Sequence, residues 1–381
     1  VSKNRSVQPA VKDSQERMPR ATGLVQAWVR FWFTPADPVG LHAVRLLTGL
    51  LFIAWLLPFA GHQDALFGLK GWFDLGAYKE ASHLPDGPPQ PFSWSVLYLC
   101  GSDPTLLAIA YWAAIGIFAL FSLGIWTRLT AVLSWVMVVS FTANPASPYD
   151  GDALLAILAF YLMIGYLLLD QRTLKQSLWA RLLGPGETFL LGRARGRDSL
   201  YPATSLGANI ALRLLQVHFA IVMVTSGLTK LQFGDWWTGA ALWYPLYPPF
   251  RATLAQVQAQ TPHAKLYMTA LSLAAYAILA WQIVFPMFAW KPRWRPVLLG
   301  GVVLGWLGTA FIYELPLFGP AICIGCLSYL TATEWHAIIR LLARIPGLRA
   351  LSAALPAATW EPPGPSNRMS TPAVLATSKS R

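Results

Sequence analysis

The chain has 381 residues, of which 55% are hydrophobic and only 12% charged, with 18 tryptophans and a net charge of +12. Globular chains carry about 25% charged residues, so this composition excludes an ordinary water-soluble domain. Three cysteines make no disulfide framework, and the basic residues fall at the ends of apolar runs rather than on one stripe, which argues against a nucleic-acid-binding surface.

The first segment, "VSKNRSVQPAVKDSQERMPR", has no apolar core of the kind a cleavable signal peptide needs. Residues 1–20 are expected to be a disordered basic tail. In "GLVQAWVRFWF" the residues Val25, Trp28, Val29 and Trp32 share one helical face, which predicts an interfacial amphipathic helix over 21–34. Eight apolar runs follow, near 39–60, 105–125, 127–146, 152–170, 208–230, 264–290, 296–314 and 317–340. Most approach the ~20 residues that a helix needs to cross a bilayer. The expected fold is therefore an all-α integral membrane bundle of about eight transmembrane helices over residues 35–340. Pro316 and Pro320 crowd the junction of the last two runs. The closing segment, 341–381, is rich in Pro, Ser and Thr and is expected to be a disordered tail.

Charge assigns the two sides. The segment up to Pro38 holds six Lys/Arg, whereas the loop 61–104 holds only Lys70 and Lys79 against five acids. Arg128 marks the next turn, and 147–151 has no basic residue. The loop 171–207 holds six Lys/Arg, 231–263 only Arg251, "WKPRWRP" three, and the chain after His336 six. Rich and poor segments alternate without a break, as the positive-inside rule expects. Both termini are then cytoplasmic, and the excess positive charge reports topology together with some attraction to anionic lipid.

On that topology several polar groups share the outer face. Lys230 ends the fifth run, with Asp235, Trp236 and Trp237 just after it. Asp150 and Asp152 open the fourth run, and Glu314 closes the seventh. Lys230 has two readings. It snorkels to the headgroups, or it points inward, where desolvation disfavours an ammonium and can supply a neutral amine as general base. The tryptophan pair reads as an interfacial anchor or as a pocket wall. Asp150 and Asp152 read as a turn and helix cap or as substrate-orienting acids. On the inner half, Arg45 and Arg213 interrupt the first and fifth runs, with snorkelling the leading reading and headgroup binding or helix tethering the second. His42 and Arg45, three apart, share a face. His218 reads as a helix–helix hydrogen-bonding residue. Cys323 and Cys326 form a C-x-x-C, but an apolar setting suppresses thiol reactivity. No metal-ligand spacing stands out.

The segment "RLLQVHFAIVMVTSGLTKLQFGDWWTG" resembles a segment of vitamin K-dependent gamma-glutamyl carboxylase and of the bacterial membrane proteins grouped with it as the HTTM (horizontally transferred transmembrane) domain family. The matching positions are Gly227, Lys230, Leu231, Trp236 or Trp237, and Gly239. "DPVGLHAVRLLTGLLF" is similar to that family's opening helix at Asp37 and Arg45, and "LGIWTRLTAVLSWVMVVSFTAN" and "LLAILAF" extend the likeness over residues 35–335. The resemblance implies that Lys230 is a base acting on reduced vitamin K or a menaquinone-like hydroquinone, on the outer face of a bacterial cytoplasmic membrane, with epoxide as a product. It departs at Gly151, where the carboxylase has a histidine, and only a tail is expected after the last run. These departures leave open whether carboxylation accompanies the oxygenation, and they argue against recognition of a propeptide-bearing protein substrate. Two alternatives stand beside the enzyme. One is a non-catalytic membrane module that assists maturation, export or immunity for a secreted peptide. The other is a transporter, for which matching broken helices are lacking in the sequence.

Overall fold

The computed structural model describes residues 20–68, 71, 94–100, 103–143, 150–169, 187–188, 193–194, 204–246, 253, 255–256, 264–312, 315, 317–342 and 344–345. The basic tail expected over residues 1–20 falls outside them except for Arg20, and so does the closing tail beyond 345. The chain divides into two units, Val1–Trp335 and His336–Arg381, and the bundle belongs to the first. In chain order the helices are α1 (Arg20–Phe33), α2 (Val39–Leu56), α3 (Gln63–Phe67), α4 (Pro104–Leu123), α5 (Thr127–Thr142), α6 (Asp150–Leu168), α7 (Leu206–Lys230), α8 (Gly234–Thr238), α9 (Trp243–Leu246), α10 (Ala264–Phe288), α11 (Arg295–Ile312), α12 (Phe318–Cys326) and α13 (Ala332–Leu342). A two-residue antiparallel pairing joins Glu187–Thr188 to Arg193–Ala194.

Among the described residues, five helices are long and apolar enough to cross a membrane: α2 with the turn after it, α4, α6, α7 and α10. The third and seventh expected spans are present as shorter apolar helices, α5 and α11. The eighth is not one continuous helix. α12 is nine residues long, and the chain bends by 118° between Phe318–Tyr329 and Ala332–Leu342. The cause is local. Thr331 and Glu334 form a reciprocal capping box, in which Thr331 N donates to Glu334 Oε2 (2.6 Å) and Glu334 N to Thr331 Oγ1 (3.5 Å). Such a box starts a new helix.

Capping residues set other boundaries. Asp103 accepts from Thr105 N at 2.8 Å and Leu106 N at 3.4 Å, and Pro104 then opens α4. Gly124 ends that helix at φ 86°, a left-handed conformation that glycine adopts without penalty. Ser205 caps α7.

The helix α2 is the hub, 72% buried against 17% for α10. Gly49 lets it approach α4 so closely that a Cβ there would meet the Ser122 backbone at 2.8 Å. Ser122 Oγ donates to Leu46 O (3.0 Å), Tyr111 OH to Leu56 O (2.7 Å), and Phe52 packs on Phe118. The helix α10 instead exposes Leu266, Leu273, Val284 and Met287, and α11 exposes Val303, Leu304 and Phe311. These apolar faces suit lipid contact.

The bundle has two chemically different ends. At the arginine end, Arg45 is fully buried (0% exposed), which corrects the expectation that it snorkels. Its Nη1 donates to Tyr166 OH (3.3 Å) and its Nη2 to Ser122 O (3.4 Å), while His42 Nδ1 lies 2.6 Å from the same Tyr166 hydroxyl. Arg45 and His42 thus share one helical face and one phenol, and tether α2 to α6 and to the end of α4. Arg128 Nη2 donates to Leu169 O (2.8 Å), and the buried Arg295 pairs with Glu334. The helix α1 is tied to α7 here as well. Asn209 Nδ2 donates to the terminal carbonyls of Phe31 (3.0 Å) and Trp32 (2.8 Å), and Ala36 exchanges two backbone hydrogen bonds with Ser205. The other end carries Lys230.

Candidate functional site at the Lys230 end

The last turns of α7 pack on α10, with Gly227 against Gln282 and Ile283. A single turn, Leu231–Phe233, then folds the chain into α8, which Gly239 ends at φ 76° with its α carbon against Ser272 of α10. Tyr276 OH donates to Trp237 O (2.7 Å), and Trp237 Nε1 donates to Leu231 O (2.8 Å). The amine of Lys230 is thus held where α7, α8 and α10 meet.

Lys230 is partly buried. Its Nζ donates to Ser226 Oγ (2.7 Å) and Ser226 O (3.3 Å), and it lies 5.3 Å from the centre of the Trp236 ring. Across the helix interface, Gln282 Nε2 donates to the same Ser226 Oγ (3.3 Å). The other amide atom, Gln282 Oε1, is buried and has no hydrogen-bond partner among the described residues. Such an orphaned acceptor is costly unless something occupies it. No carboxylate is among the partners of Lys230 within the described residues.

Of the described residues expected to gather around Lys230, the structure brings only Trp236 to the amine. Trp237 is 63% exposed and pins α8 through its indole nitrogen instead. Asp235 is exposed and serves through its backbone oxygen, which accepts from Ala241 N (3.1 Å) and Thr238 Oγ1 (3.2 Å). Asp150 begins α6, but its side chain lies outside the described residues, as does Glu314. Asp152 is partly buried near the start of α6. The antiparallel register that sets Tyr161 OH 3.0 Å from His218 Nδ1 carries Asp152 to the level of the last turns of α7. The expected aromatic roof, "FGLKGWFDLGAYKEASHLPDGPPQPFSW", lies for the most part outside the described residues.

Two site residues were missed. Ser226 stands one turn before Lys230 on the same helix, so the i, i+4 rule could have found it. Gln282 is a lone amide in the apolar run "AILAWQIVFP", a visible oddity whose partner only the α7–α10 packing supplies. Elsewhere, His218 bridges α6 and α7 through Tyr161, as its reading predicts. Arg213 Nη1 donates to Gln216 Oε1 (2.8 Å), and its guanidinium carbon lies 4.3 Å from the centre of the Phe31 ring. All three cysteines are free thiols. Cys326 is fully buried and Cys323 Sγ faces Val302 O at 3.8 Å, so the C-x-x-C packs α12 against its neighbours. No cluster of metal-ligating side chains occurs among the described residues.

Comparison of the chain with protein-family models, with curated proteins and with solved structures finds no match. The likeness to the carboxylase family therefore rests on the residues quoted above.

Proposed function

We propose that this protein is an integral enzyme of a bacterial cytoplasmic membrane that uses Lys230 as a general base on a lipophilic acid of the hydroquinone class. In this reading its apolar helices make about eight passes or part-passes, with both termini cytoplasmic and the Lys230 end facing outward. The gathering of Arg45, Arg128, Arg213 and Arg295 at the opposite end supports that orientation.

One observation carries the chemical reading. Among the described residues, a half-buried amine without a carboxylate partner lies one residue, Ser226, away from the buried, unpartnered oxygen of Gln282. A bound hydroquinone supplies an acidic hydroxyl and a reducing ring. Lys230 in its neutral form takes the hydroxyl proton at Nζ, forming an N–H bond as the O–H bond breaks. Gln282 Oε1 accepts a hydrogen bond from the ring substituent, and Trp236 walls the ring. Ser226 Oγ fixes both polar groups at one point.

A second reading also has an observation in its favour. Two oxygens of Ser226 and the Trp236 face all stabilise an ammonium, and a cation bonded to a carbonyl of the last turn is a helix C-cap. On that account the protein is a non-catalytic membrane module serving a secreted peptide.

The test is aerobic incubation of purified protein with reduced menaquinone or vitamin K, reading epoxide. Lys230→Ala and Lys230→Arg both abolish turnover if the amine is the base, because arginine keeps a cation and supplies no neutral amine. Gln282→Leu lowers turnover by about tenfold or more, the loss of one hydrogen bond to a charged or strongly polarised group. Full activity in Lys230→Arg refutes the base role, and no epoxide from wild type favours the module.

A further inference from the structure

Arg213 is a partly buried arginine with no carboxylate among its contacts in the described residues. Arg295 has Glu334. Arg213 has one amide oxygen, Gln216 Oε1, and the face of Phe31. A guanidinium offers five N–H donors, and those beyond the one given to Gln216 have no acceptor among the described residues. Nor can Gln216 turn to offer more. Its Oε1 already accepts from Trp290 Nε1 (3.0 Å), and its Nε2 donates to Ser328 O (2.7 Å).

The surroundings are positive. Arg295 acts on Arg213 as a like charge. Lys291 and Arg293 stand exposed in the α10–α11 turn that follows Trp290, and Arg30 is exposed in the last turn of α1. The walls are aromatic. Phe31 lies over the guanidinium, and its ring centre is 6.4 Å from that of Trp290.

The helix α1 fixes the depth. Its free face presents Leu24, Val25, Trp28 and Val29, all exposed. A helix of that kind lies in the headgroup–acyl boundary, buried by about 5–10 Å. Phe31 of the same helix carries Arg213, so the guanidinium sits at the level of lipid phosphates.

We propose that Arg213, framed by Phe31 and Trp290 and with Lys291 and Arg293 exposed in the turn that follows Trp290, is a seat for the phosphate of one anionic phospholipid. The headgroup phosphate receives the free guanidinium N–H groups in the paired geometry that arginine offers. The acyl chains run down the apolar faces beside α1 and α10. Basic pockets between membrane helices take such headgroups. The bound lipid offsets an otherwise unpaired charge and fastens α1 to the bundle. This seat lies at the opposite end from Lys230 and does not depend on the catalytic reading.

Native mass spectrometry of the full-length protein, released from detergent micelles, tests the proposal. The probes are phosphatidylglycerol, phosphatidylcholine and inorganic phosphate. Wild type is expected to retain one phosphatidylglycerol about tenfold more tightly than phosphatidylcholine, and Arg213→Gln to lose that preference. Lys291→Gln/Arg293→Gln should lower it by about twofold at most, as exposed, solvent-screened charges of the neighbouring turn. Arg213→Lys keeps the charge, loses the paired geometry, and falls between the two. It also serves if Arg213→Gln does not fold. Equal retention of the two lipids by wild type overturns the proposal, and so does an unchanged preference in both Arg213 variants. A loss as large in the Lys291/Arg293 variant assigns the effect to diffuse surface charge and overturns it too. Inorganic phosphate that competes at equal concentration overturns the assignment to a lipid.

Discussion

The clamp between Arg295 and Glu334 makes an asymmetric prediction. Arg295 is 5% exposed in its side chain and Glu334 32%. Arg295 Nη1 donates to Glu334 Oε2 at 2.5 Å, and its other nitrogens reach Ala289 O (3.4 Å) and Trp290 O (3.3 Å) at the end of α10. Removing the arginine leaves a carboxylate that still holds Thr331 N (2.6 Å) and Thr331 Oγ1 (2.8 Å) and is reached by water. The lost pair, discounted for that exposure, and two long carbonyl contacts cost about 2–3 kcal/mol in Arg295→Met. Removing the carboxylate instead strands a buried guanidinium and breaks the capping box. Glu334→Ala then costs about 4–6 kcal/mol, the sum of a broken buried pair and a lost cap. The double variant Arg295→Met/Glu334→Ala should cost less than the sum, because the stranded charge is gone.

The assay is unfolding by sodium dodecyl sulfate in mixed micelles, followed by circular dichroism at neutral pH. Burial alone pushes the Glu334 carboxyl up, but the Thr331 hydrogen bonds and the Arg295 charge outweigh it and hold the group below its ordinary value. The clamp's contribution is therefore complete above the usual carboxylate range, near pH 4.3, and is lost as pH falls through the lowered value. Acid should narrow the gap between wild type and Arg295→Met. Equal costs for the two single variants, or simple additivity, would refute the reasoning and make the pair a solvated surface contact.

Gly124→Ala forces a left-handed φ of 86° on an L-residue and sets a Cβ 2.7 Å from Arg45 Nη2. The backbone term alone is about 1–2 kcal/mol, so the same unfolding assay should show at least that loss, and a neutral result would mean that Arg45 is not held against the α4–α5 turn. Asn209→Ala removes both side-chain hydrogen bonds to the end of α1. Faster proteolysis within residues 20–33 is the expected outcome, with the core unfolding transition little changed.

Much of this architecture is written in one dimension. A helix that crosses lipid must satisfy its own backbone and bury its side chains in hydrocarbon, so each span is a local property. That is why the apolar runs ending at Lys230 and beginning at Val39 fall where the helices do, and why α1 shows as an amphipathic stripe. The eighth run failed for an equally local reason, the Thr331–Glu334 box, which hydropathy averages away.

The candidate site was legible only in part. Lys230 and Trp236 could be paired because six residues separate them across a single turn. Ser226 was within reach of the helical period. Gln282, at a sequence distance of 56 from Ser226, was not, since which face of α10 meets α7 depends on the close approach at Gly227. The same holds at the arginine end. Sequence places Arg45 and Arg213 near a membrane boundary, where long cations ordinarily reach for headgroups. Packing decides between them, burying Arg45 under Tyr166 and Gly124 and leaving Arg213 stacked on Phe31 with donors to spare. Hydrophobicity along the chain determines where this protein enters lipid. Which polar groups meet there is settled by helix–helix contacts between residues far apart in sequence, because only close packing can hold two such groups within hydrogen-bonding distance.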